Sequence, residues 1–286
     1  CVVTMNKRAR PEEYELIKGT PRPGHADYPA RMKYGGFNDY RGGGRFSGRI
    51  TVSFVMAGAI AKKLLDLIGV KVLAFTVQIG PVRVNRPPTI EQIQRNTYKS
   101  SVRCPDLNCT RRMEEAIERA KSLGDSLGGI IECHALNVPV GVGEPLFDSL
   151  DADIGKLLFD IPAVKGVEFG LGFKASELTG SENNDAYAIR DGKTVTLTNN
   201  AGGILGGLST GMPIVVKAAF KPTPSIPREQ KTVNLEKMRE EVIQVKGRHD
   251  PCVVPKAAPV VESGVAIVLA DHMLRGGYIL KVLLRR

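Results

Sequence analysis

A short stretch near the end of the chain, residues 247–252 (GRHDPC), brings together side chains that could do chemistry. It holds an imidazole, a carboxylate, a guanidinium and a thiol, which leaves open a metal site, a nucleophile with its base, or a turn. No CxxC or HExxH motif occurs elsewhere in the sequence, so a metal site is not predicted. Cys252 is more simply explained as a buried residue at the start of a helix than as a nucleophile.

A second candidate lies in residues 22–27 (RPGHAD), where His25 occupies a Pro/Gly turn. Its neighbours Arg22 and Asp27 hold the imidazole near charge, a setting that suits acid–base work. By contrast, His134 falls on an alternating segment and His272 in an apolar one, so these two are predicted to be packing residues.

Glycine-rich runs at residues 42–45 (GGGR) and 201–207 (AGGILGG) could let the backbone approach an anion. The first run precedes a predicted helix, whose N-terminal N–H groups suit an anion. The second run lacks the G-x-G-x-x-G dinucleotide pattern and a P-loop lysine, so ordinary tight turns explain it equally well.

The charge balance favours an anionic partner. Lys and Arg number 40 against 30 Asp and Glu, a net charge of +10 over 286 residues. Nucleic acid, a membrane surface and a phosphorylated metabolite all fit that charge. Because aromatic residues are 6% of the chain, Trp is absent and no arginine-rich arm occurs, a pocket for a small anion is favoured and no nucleic-acid partner is expected.

Cysteine content and hydropathy bear on location. The 5 cysteines are odd in number and irregularly spaced, which favours a reducing compartment, with the cytoplasm as the simplest location. No run of 18 uncharged apolar residues occurs, so neither a transmembrane helix nor a membrane partner is expected. The chain begins at Cys1 rather than Met, which suggests a cut.

Periodicity predicts irregularly alternating helices and strands, and hence an α+β layered domain. Residues 1–45 and 174–211 are assigned no regular elements, and residues 234–245 are ambiguous between helix and strand. Helices are predicted over residues 50–61 (a buried one), 110–124, 150–161 and 257–277, and strands over residues 70–80, 128–140, 164–173 and 212–220.

Several stretches, taken in order, resemble the chorismate synthase family. They are RPGHAD (22–27), RGGGRFSGRITVSFVMAGAIAKK (41–63), VKGVEFGLGF (164–173), NNAGGILGG (199–207), KPTPSI (221–226) and GRHDPCVVPKAAPVVES (247–263). The resemblance covers essentially the whole chain. It implies a layered α+β sandwich, with long helices between antiparallel sheets, in a single domain over residues 1–286.

The resemblance also implies a reaction and its reagents. Chorismate synthases convert 5-enolpyruvylshikimate-3-phosphate to chorismate by a 1,4-elimination of phosphate that requires reduced FMN without net redox change. NADPH is a possible source of the reducing equivalents. The phosphates and carboxylates of substrate and flavin would account for a basic pocket.

Site residues follow from the matched motifs alone. His25 would stabilise charge at the flavin N1/O2 edge, and Asp250 would accept the proton lost from the substrate, with His249 supporting the turn. Arg22 and Arg49 would bind substrate. Flavin-binding residues would be Arg45, Phe46, Ser47, Pro162, Ala163, Gly206, Lys221, Pro222, Thr223, Pro224, Ser225 and Arg248.

One family motif, Gly-Glu-Ser-His-Gly, is absent from residues 1–286. The resemblance implies a preceding segment, hereafter the motif-bearing segment, that contributes a second catalytic histidine and phosphate-binding arginines. The family also implies a homotetramer. The alternatives to an active enzyme are a catalytically inactive fragment and a basic nucleic-acid-binding protein.

Overall fold

The computed structural model describes residues 3–5, 14–15, 18–245, 247 and 249–280. The helices are α1 (Asp27–Lys33), α2 (Val52–Asp66), α3 (Ile90–Asn96), α4 (Leu107–Ser122), α5 (Leu150–Phe159), α6 (Gly180–Asn183) and α7 (Val254–Arg275), with 3-10 helices at Arg41–Phe46, Gly48–Thr51 and Gly172–Glu177. The strands are β1 (Lys71–Ile79), β2 (Val82–Arg83), β3 (Gly129–Leu136), β4 (Val164–Phe169), β5 (Tyr187–Arg190), β6 (Lys193–Thr196), β7 (Ile204–Leu205), β8 (Leu208–Ser209), β9 (Ile214–Phe220), β10 (Glu229–Asn234) and β11 (Arg239–Gln244).

A five-stranded sheet in the order β2-β1-β3-β9-β4 forms the centre of the described fold. Every pairing in this sheet is antiparallel. Buried and partly buried residues alternate along β9 from Ile214 to Phe220, the period of two expected of a strand with one face on the core. The hairpins β5-β6, β7-β8 and β10-β11 lie outside this sheet. The predicted α+β class with antiparallel sheets is confirmed.

Helix α7 is the central helix of the core and contacts α2, α5, β1 and β3. Its fully buried residues include Val261, Val265, Leu269 and Met273, which recur at the spacing of one helical face. Length and composition would allow α7 to cross a membrane, but 72% of its most apolar window is buried inside the fold. The helix therefore packs as a core element.

Glu262 is a carboxylate buried inside this core, only 4% exposed. One of its oxygens lies 2.5 Å from Nζ of Lys62 on α2, and the other accepts a hydrogen bond of 3.1 Å from the backbone N–H of Ala74 on β1. Because both carboxylate oxygens have donors, the buried charge is compensated. Glu262 thus joins α2, α7 and β1.

Helix α2 differs from the buried helix predicted over residues 50–61. It begins at Val52, after the 3-10 helix Gly48–Thr51, and buries only Gly58, Ala61 and Leu65. Gly58 lies against Ser263 of α7, whereas Val52, Val55, Ile60 and Leu67 are at least 36% exposed. An uncharged sequence indicates that a helix is apolar on several faces. It does not indicate which of those faces other described elements bury.

The ambiguous residues 234–245 form most of a β-hairpin. Strands β10 and β11 pair from Glu229 opposite Gln244 to Asn234 opposite Arg239. The predicted strand over residues 164–173 ends earlier, at Phe169, because Gly170 and Gly172 adopt φ of +55° and +57° and turn the chain into a 3-10 helix. The last helix starts at Val254 rather than 257, with Pro255 in its first turn, where a missing N–H is tolerated.

Other elements were not predicted at all. Helix α1 lies in the Arg/Pro/Gly-rich N-terminal region, and residues 174–211 contain α6 and the hairpins β5-β6 and β7-β8. Helix α3 opens with a capping box in which Thr89 and Gln92 satisfy each other's backbone N–H groups. Short elements bury few residues, so periodicity is a weak guide to them.

Candidate functional site

The RPGHAD turn is tied together by its own charged side chains. Gly24 adopts φ of +72°, which turns the chain so that the His25 backbone N–H donates to the Arg22 carbonyl at 3.2 Å. Arg22 Nε donates to an Asp27 carboxylate oxygen at 2.7 Å, and His25 Nδ1 lies 2.6 Å from the other oxygen. All three side chains are at most 15% exposed. The buried guanidinium of Arg22 and the imidazole of His25 thus both bind the carboxylate of Asp27.

Charge compensation controls the ionisation of Asp27. Burial alone would raise the pKa of Asp27, but hydrogen bonds from Arg22 and His25 outweigh it and hold the pKa well below its usual range. Asp27 is therefore ionised throughout the neutral range.

The KPTPS loop, residues 221–225, contacts this turn from across the chain. Arg22 Nη1 donates to the Ser225 hydroxyl at 3.1 Å, and Lys221 Nζ donates to the carbonyl of Gly24. Burial, followed by the positive charge of Lys165, lowers the pKa of Lys221. The two segments form one hydrogen-bonded unit although they are about two hundred residues apart in sequence.

The HDPC turn joins the same unit from the other side. The Thr223 hydroxyl donates to the backbone carbonyl of Asp250 at 2.9 Å. The Asp250 side chain is 49% exposed and lies 2.6 Å from Nζ of Lys256. We call the assembly of residues 22–27, 221–225 and 249–250 the three-loop junction.

Cys252 lies just beyond the junction and packs in the core at 7% exposure. Burial raises the pKa of its thiol to about 11. A neutral, buried thiol is a poor nucleophile, so its prediction as a packing residue is confirmed. Among the described residues no cluster of His, Cys, Asp and Glu could hold a metal ion.

Pro162 and Ala163 border the junction. The backbone N–H of Lys221 donates to the Ala163 carbonyl at 2.9 Å, so this turn sits directly beside the start of the KPTPS loop. Ala163 adopts φ of +78°, a conformation that costs a non-glycine residue energy. The strained turn orients its carbonyl toward Lys221.

Comparison with known proteins identifies the family. The family model for chorismate synthase matches residues 1–274. A chorismate synthase from Dehalococcoides mccartyi is 52% identical over 283 residues, covering 99% of this chain and 78% of that protein. One from Thermococcus kodakarensis is 55% identical over 275 residues, covering 96% and 76%. The chain belongs to the chorismate synthase family.

A solved structure agrees with this assignment. A crystal structure of chorismate synthase superimposes with a TM-score of 0.73 at 32% sequence identity, covering 88% of this chain and 70% of that one. Chorismate synthases are carbon–oxygen lyases that eliminate phosphate from 5-enolpyruvylshikimate-3-phosphate, and that activity is the function of this chain. Neither comparison supports a nucleic-acid-binding protein.

Not all residues that the family resemblance implies are brought into the junction. Arg45, Phe46 and Ser47 lie at the end of one 3-10 helix and Arg49 in the next, where the Ser47 hydroxyl accepts the Arg49 backbone N–H at 3.3 Å. The GGGR run thus belongs to a 3-10 helix and does not directly precede α2, contrary to the expected anion site at a helix N-terminus. No hydrogen bond or ion pair within the described part of the chain links Arg45 or Arg49 to the junction.

The remaining flavin-binding predictions are Gly206 and Arg248. Gly206 lies in the β7-β8 turn with φ of +59°, and a Cβ built there would meet no atom within 4 Å. Arg248 lies outside the described residues. The predicted packing roles of His134 and His272 are confirmed, since His134 lies edge-on to Phe75 and His272 is 4% exposed.

A cleft of about 620 Å³ is lined in part by Cys252 and Lys256. It is bordered by α4, the start of α7 and residues 101–103, and the residues predicted to bind substrate or flavin do not line it. The predicted residues Arg22, His25 and Asp250 thus lie in the junction and not in this cleft.

The RPGHAD sequence indicated Asp27 beside His25, but nothing in the sequence indicated the partner of Asp250. Asp27 binds both Arg22 and His25, and Lys256 pairs with Asp250. Asp27 follows His25 by two residues, so an acid next to a turn histidine was the available signal. Lys256 sits six residues after Asp250, beyond a proline, where no local spacing rule predicts contact.

Proposed function

We propose that the three-loop junction is the centre at which this chain eliminates phosphate and a proton from 5-enolpyruvylshikimate-3-phosphate. The observation that carries the proposal is that one loop, residues 221–225, contacts Arg22, the backbone of Gly24 next to His25, and the backbone of Asp250. These side chains supply a fixed cation, an imidazole and an exposed carboxylate. An elimination of phosphate needs an anion-binding group and a base, and the junction contains both.

We propose that reduced FMN binds beside the junction, with NADPH as the source of its electrons. The donor set suits a phosphorylated flavin: Lys221 is cationic, Thr223 and Ser225 carry hydroxyls, and Gly206 leaves open space at its backbone. Bound reduced FMN would supply electron density while phosphate leaves. Residues proposed to hold it are Arg45, Phe46, Ser47, Pro162, Ala163, Gly206, Lys221, Pro222, Thr223, Pro224, Ser225 and Arg248.

The proposed roles of the polar residues follow from their surroundings. Arg22, fixed by Asp27, binds an anionic group of the substrate through its remaining guanidinium hydrogens, and Arg49 does the same from the 3-10 helix. The Asp250 carboxylate is half exposed, so a substrate proton can reach it. His25 donates to or accepts from the reacting groups as charge develops.

The assembly and location proposed for the chain come from its family. We propose a homotetramer that works in the cytoplasm on a small phosphorylated substrate, without nucleic-acid or membrane partners. Turnover is proposed to require the motif-bearing segment. The described junction contains His25 and the turn residue His249, and the family's second catalytic histidine belongs to that segment.

The test compares two histidines in matched surroundings. His25 and His134 are each 14% exposed and lie 2.6 and 2.7 Å from a carboxylate, but only His25 is in the junction. Both are changed to Gln in a version that carries the motif-bearing segment of a chorismate synthase, hereafter the extended version. Chorismate formation is followed anaerobically with chemically reduced FMN.

His25→Gln is expected to slow chorismate formation by about 10²-fold, the scale of a lost acid–base group. His134→Gln should stay within a few-fold of the parent. Equal rates of chorismate formation for the two variants, with FMN binding intact, would contradict the catalytic role of His25 and the proposal that the junction is the reaction centre.

A further inference from the structure

The Asp27 carboxylate accepts more hydrogen bonds than a single ion pair would provide. Its Oδ2 accepts from the backbone N–H of Arg22 at 3.1 Å and from Nε at 2.7 Å, and its Oδ1 accepts from Arg22 Nη2 at 2.9 Å. The same Oδ1 lies 2.6 Å from His25 Nδ1. One carboxylate at 15% exposure therefore fixes both a guanidinium and an imidazole.

The chemistry of these contacts decides which ring nitrogen carries hydrogen. An ionised carboxylate can only accept, so the contact of 2.6 Å to Asp27 requires the hydrogen on Nδ1 of His25. Arg22 Nη2 also lies near the ring, but at 3.1 Å from Nδ1 and 3.3 Å from Nε2 it favours neither nitrogen. The shorter contact to Asp27 therefore sets the tautomer, and the neutral imidazole carries its lone pair on Nε2.

The remaining charges around His25 do not compete for Nδ1. Lys221 Nζ donates to the carbonyl of Gly24, and Ser225 accepts from Arg22 Nη1. A lysine has no acceptor, and the described contact of the Ser225 hydroxyl is with Arg22, so Asp27 is the acceptor that the described contacts place at Nδ1.

We propose that Asp27 is the positioning residue of the active site: it holds His25 as the Nδ1–H tautomer, so that Nε2 is the atom that works on substrate or cofactor, and it fixes Arg22 beside it. The inference rests on the proposed function of the junction. Asp27 itself touches neither reactant. It acts through its two partners, as orienting carboxylates behind functional imidazoles do.

The first test observes the tautomer directly. The chain is labelled with ¹⁵N-histidine, His25 is assigned through His25→Gln, and long-range ¹H–¹⁵N couplings are recorded at a pH where the ring is neutral. The expected pattern is hydrogen on Nδ1 in the parent. An Nε2–H pattern in the parent overturns the proposal even if every Asp27 variant fails to fold.

Variants then test the cause. Asp27→Asn should shift the His25 tautomer toward Nε2–H, because an amide can donate to Nδ1, whereas Asp27→Glu should retain Nδ1–H. Asp125→Asn is the control, since it removes a carboxylate 2.9 Å from Arg228 without touching His25. An unchanged tautomer in a folded Asp27→Asn overturns the proposal.

Turnover separates this inference from the function on which it rests. In the extended version, Asp27→Asn should slow chorismate formation by about 10- to 100-fold, the range for a lost orienting partner, with partial recovery in Asp27→Glu. A changed tautomer with unchanged turnover would leave the positioning role standing and contradict the proposed role of His25.

Discussion

Two carboxylates of the junction, Asp27 and Asp250, differ in what surrounds them. Asp27 is 15% exposed and saturated by donors from Arg22 and His25, so it has no free acceptor for a substrate proton. Asp250 is 49% exposed and pairs, among the described residues, with Lys256. A base must be reachable by its substrate, so the exposed carboxylate suits proton transfer and the buried one suits positioning.

Asp250→Asn in the extended version is expected to leave FMN binding largely intact and to slow chorismate formation by about 10²-fold or more, because the amide cannot accept the proton. Single-turnover absorbance and flavin fluorescence measure the two effects. Asp148→Asn is the matched control, since Asp148 is 55% exposed and 2.9 Å from Arg275. Near-parental turnover at saturating substrate would contradict the assignment of Asp250 as base.

Asp27 also makes a pH-dependent contribution to stability. Because folding lowers its pKa, its stabilisation is fully present above the ordinary carboxyl pKa and is lost as the pH falls toward the folded value. Asp27→Asn should therefore lower the free energy of unfolding by about 3 kcal/mol at pH 7, the scale of a broken buried ion pair. The difference from the parent should shrink below about pH 4.

Urea unfolding of parent and Asp27→Asn across this pH range measures that difference. Asp125→Asn, which breaks an exposed pair, should cost less than about 1 kcal/mol at any pH. A difference that stays constant down to pH 3 would mean that the Asp27 charge does not stabilise the fold.

For helices and strands, the sequence predicted the type of an element where one segment determines it. It did not predict strand pairing or burial, which depend on two segments. The apolar run of β9 and the apolar residues spaced between charged ones along α4 were sufficient to place a strand and a helix. The β10-β11 hairpin was ambiguous because its charged residues fit either period until the partner strand is known. The exposed apolar side of α2 was missed for the same reason, since burial depends on the neighbours.

The crossing of α2 and α7 depends on a glycine. A Cβ at Gly58 would lie 2.3 Å from Cβ of Ser263 and 2.7 Å from its Cα, so the helices would have to move apart. Gly58→Ala is expected to lower the free energy of unfolding by about 1–3 kcal/mol, the scale of overpacking. Gly155→Ala in α5 is the control, since nothing lies within 4 Å of its Cβ position, and it should be neutral or stabilising.

Thermal or urea unfolding of the two glycine variants provides the comparison. Equal stabilities would mean that α2 and α7 can separate without loss. In that case the ion pair between Lys62 and Glu262, and not close backbone contact, would hold the two helices together.

At the scale of the molecule, motif order was enough to identify the family, but the site was predictable only in part. The RPGHAD, KPTPS and HDPC segments each carry recognisable residues, but they are brought together by contacts such as that of Lys221 with Gly24, which are 197 residues apart in the sequence. No local pattern encodes such a contact. The motif residues of each segment, including Asp27 beside His25, could therefore be named from the sequence, but the meeting of the segments and the pairing of Lys256 with Asp250 could not.

The last prediction concerns what residues 1–286 can do alone. The junction provides Arg22, His25, Lys221 and Asp250, while the family resemblance implies a second histidine and phosphate-binding arginines in the motif-bearing segment. Each missing charge-assisted contact is worth about 1.5–3 kcal/mol, so substrate binding should weaken by orders of magnitude without them. Residues 1–286 are therefore expected to form chorismate at least about 10²-fold more slowly than the extended version.

Both versions are assayed anaerobically with chemically reduced FMN, and flavin binding is measured in parallel by fluorescence. A third version, extended but with the motif histidine changed to Ala, separates the chemical contribution of the segment from its effect on folding. If the segment acts through its histidine, this third version should bind flavin like the extended one and turn over slowly. Comparable chorismate formation by residues 1–286 and by the extended version would mean that the three-loop junction already contains every group that the elimination needs.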